Sequence, residues 1–86
     1  MMGRRTQLLA EIDEIVPGSW AHWESDVLSD IRMFDRSREW RVRRYTGGWE
    51  ARVSIADGAS CTSALRGTPQ GALQCLVSAL RDLLDR

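Results

Sequence analysis

The side chains with the chemistry to attack a bond or hold a metal are His22, Cys61 and Cys75. Thiol catalysis needs a base within hydrogen-bond reach of the sulfur, and here only tertiary folding could bring His22 to either cysteine. A single histidine has no companions at zinc-ligand spacing. The chain has no glycine-rich phosphate loop, nucleophile elbow or paired-carboxylate motif. Two cysteines allow one disulfide at most, which is not a framework, and both read as small buried side chains, Cys61 in a strand and Cys75 in a helix. These residues predict no enzyme, no metal site and no cofactor.

The arginines carry more information. All twelve basic residues are arginine, against twelve Asp and Glu, for a net charge of zero and a pI near 6.6. That balance hides a segregation. Residues 1–35 hold three arginines and seven acids, a balance of −4, whereas residues 36–66 hold seven arginines and three acids, a balance of +4. Arg41, Arg43 and Arg52 alternate with apolar residues, and Arg36, Arg38 and Arg44 extend the basic stretch. Guanidinium groups pair with carboxylates or phosphates, and Tyr45 could stack a base. Arg41, Arg43, Tyr45, Arg52, Arg38 and Arg36 are therefore the candidate binding residues.

The elements that position them follow from periodicity. Leu8, Leu9, Ile12, Ile15 and Val16 recur at helical spacing, predicting a helix over 4–16 that Pro17-Gly18 ends. Ser19 reads as an N-cap, and Trp20, Trp23, Val27, Ile31 and Phe34 form one helical stripe, predicting a second helix over 19–35. The period then changes. Trp40 and Val42 alternate with arginines, and Trp49, Ala51, Val53 and Ile55 alternate with polar residues, predicting strands over 38–46 and 48–56. Gly47-Gly48 reads as the two-residue turn between them, setting Val42 opposite Val53 and Trp40 opposite Ile55. A three-residue loop over 56–58 leads to a third strand over 59–66, with Cys61 opposite Val53 and Leu65 opposite Trp49. Thr68 caps a last helix over 68–85, with Pro69 at its first position.

The expected fold is one α+β domain in two layers, a three-stranded antiparallel meander with helices packed on one face, in the order ααβββα. Its other face is open and carries Arg41, Arg43, Tyr45, Glu50 and Arg52, with Arg43 and Arg52 as cross-strand neighbours. Trp20, Trp23, Trp40 and Trp49 all fall on predicted core faces. Four indoles are much apolar surface for 86 residues, which favours a homodimer that covers the surplus. No apolar run approaches the ~20 residues of a membrane span, and the N-terminus lacks the apolar core of a signal peptide, so the expected location is the cytoplasm.

The segment from Gly47-Gly48-Trp49-Glu50-Ala51-Arg52-Val53 to Gly67-Thr68-Pro69-Gln70-Gly71-Ala72-Leu73 resembles the strand–strand–helix unit of HicB-like antitoxin domains. The wider βββα order, preceded by a helix, is similar to the double-stranded-RNA-binding fold. The first resemblance implies a small antitoxin-like factor of a phage or mobile element, the second a nucleic-acid ligand. The last helix, however, has no arginine before Arg81, where the RNA-binding family places its phosphate clamp. The expectation is thus a non-catalytic protein–protein interaction module (accessory, inhibitor or antitoxin-like), binding a protein partner or itself. The alternative is a nucleic-acid-binding domain that uses the arginine-rich sheet face.

Overall fold

The computed structural model describes residues 3–24, 30–35, 38–56 and 59–84. In chain order the elements are α1 (Arg4–Ile15), β1 (Trp20–Trp23), β2 (Asp30–Asp35), β3 (Arg38–Tyr45), β4 (Gly48–Ala56), β5 (Ala59–Thr62) and α2 (Pro69–Leu84). The strands form one antiparallel sheet in the order β1-β2-β3-β4-β5. Both helices lie on the same side of it.

This corrects the expected fold. The sheet has five strands rather than three, and the expected helix over 19–35 is replaced by the paired strands β1 and β2, with Trp20 facing Phe34 and Trp23 facing Ile31. The stripe at helical spacing is also compatible with two short strands, and burial shows which period governs. Met33, which the stripe omits, is fully buried, whereas Trp20 and Phe34, which it assigns to the core, are 61% and 37% exposed. Residues 25–29, which include Val27, lie outside the described residues. Ser19 caps no helix. Its hydroxyl donates to the Asp13 carboxylate at 3.2 Å, after a chain reversal in which Gly18 adopts φ 83°.

The β3–β4 hairpin is close to expectation but shifted by two residues. Val42 faces Ala51 and Trp40 faces Val53. A shift of two preserves the faces, since strand side chains alternate with period two. The turn is therefore Thr46-Gly47, and Gly48 belongs to β4 with φ 138°. A Cβ on Gly48 would collide with the carbonyl oxygen of Arg66, so only glycine fits where the chain after β5 returns to pair with Trp49. Cys61 does face Val53. The regular strand stops at Thr62, however, and Arg66 rather than Leu65 pairs with Trp49. Ser63 bridges the irregularity. The Ala51 N–H donates to its hydroxyl oxygen at 2.9 Å, and that hydroxyl donates to the Ala64 carbonyl at 2.9 Å. The expected loop over 56–58 lies partly outside the described residues.

The core is the space between sheet and helices. Ile31, Met33, Trp40, Val42, Ala51 and Val53 point into it from the strands, and Ile12, Val16, Leu73, Leu76 and Leu80 from the helix side. Trp23 and Trp49 are only partly buried against it. Helix α1 ends one residue short of expectation. Helix α2 begins as expected, with Pro69 first and the Thr68 hydroxyl oxygen accepting from the Gly71 N–H at 3.0 Å. Gln70 donates to the Glu11 carboxylate at 2.8 Å and ties the two helices together. Among the described residues no helix is long and apolar enough to cross a membrane.

Candidate interaction surface

Alternation sends every second strand residue away from the helices, and the register arranges these residues in rows across the open face. The first row runs Trp20, Phe34, Glu39. The second runs His22, Arg32, Arg41, Arg52, Thr62. The third runs Asp30, Arg43, Glu50, with Glu24 beside Asp30 through the Glu24 N–H to Asp30 carbonyl bond of 2.9 Å. Tyr45 stands beyond, paired with Gly48.

One corner is aromatic. Trp20 lies 4.8 Å from His22 and 6.1 Å from Phe34 between ring centroids, and the guanidinium carbon of Arg32 sits 5.3 Å above the Phe34 ring. The remainder is a lattice of charges. Arg32 contacts Glu39 at 2.6 Å and Glu24 at 3.4 Å, and Glu24 also meets His22 at 3.4 Å. The hydrogen bond to Glu39 raises the pKa of the Arg32 guanidinium. Asp30 serves two arginines, Arg41 at 3.1 Å and Arg43 at 3.5 Å. Arg52 stands directly across from Arg41, an arrangement of like charges that is unfavourable without compensation. Among the described residues Arg52 has no carboxylate within ion-pair distance, and Glu50 has no cation within that distance. A shallow hollow of about 210 Å³ lies here, lined by Glu39, Arg41, Arg43, Tyr45, Glu50, Arg52 and Ser54.

No family model, curated protein or solved structure matches the chain.

Four of the six candidate residues, Arg41, Arg43, Tyr45 and Arg52, come together around that hollow. Arg38 does not, because it shares the strand parity of buried Trp40 and points to the helix side of the sheet. Arg36 lies outside the described residues. Arg44, expected opposite Ala51, faces Trp49 and is exposed at the end of β3. The cross-strand neighbour of Arg43 is Glu50, not Arg52. Sequence reasoning missed Trp20, His22, Arg32, Phe34 and Asp30, all of which belong to the strands it read as a helix. The Asp30-Ile31-Arg32-Met33 alternation was the available signal.

The thiols are placed apart from this surface. His22 is on the open face at β1, whereas Cys61 packs against the core from β5 and Cys75 sits on α2. The sheet separates His22 from both, so the structure does not assemble the histidine–thiol pair. Cys75 Sγ instead accepts from the Arg66 guanidinium at 3.6 Å. That hydrogen bond, helped by one from the Ala64 backbone, holds the thiol below its ordinary pKa. Among the described residues no three His, Cys, Asp or Glu side chains gather as a metal ion would require.

Proposed function

We propose that this chain is a protein–protein interaction module, of the accessory, inhibitor or antitoxin-like kind, and that it docks through the open face of its sheet. The observation that carries this reading is the exposed Trp20–Phe34 corner beside the charged hollow, on a face that neither helix covers. An indole left 61% exposed on a sheet is apolar area that a partner can bury, and tryptophan and arginine are the residue types that dominate binding energy at protein interfaces. The charges support a protein partner over a polyanion. Glu24, Asp30, Glu39 and Glu50 are interleaved with Arg32, Arg41, Arg43 and Arg52, so the face has no continuous positive track for a phosphate backbone to follow.

The test is affinity capture with three baits: the wild-type chain, a Trp20→Ala/Arg52→Glu variant of the open face, and a Gln74→Glu control on the exposed side of α2. Proteins retained by wild type and control, lost on the face variant, and then shown to bind as purified components support the reading. If the face variant retains every specific partner, the reading fails.

A further inference from the structure

The rows of the open face are complementary to one another, and from this we infer its occupant: a second copy of the chain, docked face to face about a two-fold axis. This inference rests on the reading of the open face as a docking surface and adds the identity of the partner.

Two identical faces can oppose each other only through a two-fold axis lying in the plane of contact. Let that axis run across the strands, between the second and third rows, crossing β4 at Ala51. Each strand then lies over its own copy in the opposite direction, and the second row of one copy faces the third row of the other. By the registers above, Arg52 meets Glu50 of the second copy, Arg32 meets its Asp30, and His22 meets its Glu24. One step further out, the Tyr45 phenol meets Glu39. Every such contact occurs twice, as an isologous interface requires.

Two features single out this arrangement. Arg52 and Glu50, the hollow-lining charges without an ion-pair partner among the described residues, are next-but-one neighbours on β4 and satisfy each other reciprocally across the axis. Among the described residues the one repulsive meeting, Arg41 with Arg43 of the second copy, falls where each copy already places Asp30, at 3.1 and 3.5 Å from those two guanidinium groups. The second and third rows, at roughly 6.8 Å spacing on five strands roughly 4.8 Å apart, span about 24 × 14 Å, so with the Tyr45–Glu39 step the pair would hide on the order of 800 Å², below the size of stable interfaces, and Trp20 and Phe34 meet no described residue of the second copy. The dimer is therefore expected to be reversible. Stacked twisted sheets cross at about −30°, so the contacts in β2 to β4 near the centre dominate and those of β1 contribute less.

Sedimentation velocity of the full chain over a wide concentration range, at low and high salt, tests this with charge swaps. The wild type should pass reversibly from monomer to dimer, more weakly at high salt. Arg52→Glu and Glu50→Arg should each weaken the dimer about tenfold or more, since each sets like charges face to face twice. The double variant E50R/R52E should recover it. An equimolar mixture of the two single variants should form a heterodimer tighter than either homodimer. One chain then presents carboxylates at both positions 50 and 52, the other presents guanidinium groups at both, and opposite charges meet on each side of the axis. Circular dichroism of each variant confirms that the fold is intact. A wild type that stays monomeric at every concentration, or a dimer indifferent to these swaps, overturns the self-pairing. The broader reading survives if the Trp20→Ala/Arg52→Glu bait still loses a protein partner, and falls with the self-pairing if it does not.

Discussion

On the helix side of the sheet Ile31, Met33, Trp40, Val42 and Val53 interlock with Leu73, Leu76 and Leu80. On the other side the same strands carry Asp30, Arg32, Arg41, Arg43 and Arg52, beside an aromatic corner that nothing in the described chain covers. Adjacent residues such as Ile31 and Arg32 thus belong to different physical regimes. One face holds its residues by apolar burial and has little tolerance for a missing methyl group. The other holds them by ion pairs in contact with water, which contribute little to folding. Stability is concentrated on the covered face, so the identity of the side chains on the open face matters little to folding.

Substitutions should separate the two faces sharply. The largest loss is expected for Leu76→Ala, which empties a fully buried site on α2 and should cost about 2–5 kcal/mol in urea unfolding. Ser63→Ala comes next, at about 1–3 kcal/mol by the same measurement, because it strands the Ala51 N–H that the hydroxyl now satisfies. Arg52→Ala, on the open face, should change folding by no more than about 0.5 kcal/mol. A loss at Arg52 as large as that at Leu76 would erase the distinction between the faces.

The smallest expected effect on folding sharpens the comparison through chemistry. Arg66→Ala should leave the unfolding curve nearly unchanged but raise the pH at which native Cys75 alkylates. The guanidinium favours the thiolate and holds the pKa down, so the wild type reacts at lower pH than the variant. Iodoacetamide labelling with peptide mapping reads this directly, and equal pH profiles would show that Arg66 does not govern the thiol.

The same division explains which parts of the fold were legible in the sequence. Strands β3 and β4 were readable because their solvent side is polar, with Arg41, Arg43, Glu50 and Arg52 alternating cleanly with Trp40, Val42, Ala51 and Val53. The two-residue error in register came from Gly48, whose glycine is required by the close approach of Arg66 rather than by the turn. Strands β1 and β2 were not readable, because their solvent side is partly apolar. With Trp20 and Phe34 facing outward, polarity ceases to mark the exposed side, and the same residues fit a helical stripe. Four of the candidate binding residues were found because they lie on the legible hairpin. The aromatic half of the surface was missed because an outward-facing aromatic residue breaks the pattern by which strands are recognised.

Docking through the sheet requires that the open face be uncovered in the isolated chain. Hydroxyl-radical footprinting of dilute, monomeric protein tests this at individual side chains. Trp20 and Tyr45 should be oxidised rapidly, while Trp40, 3% exposed, should resist. Protection of Trp20 to the level of Trp40 under those conditions would mean that the chain covers its own face, and would contradict a docking role for it.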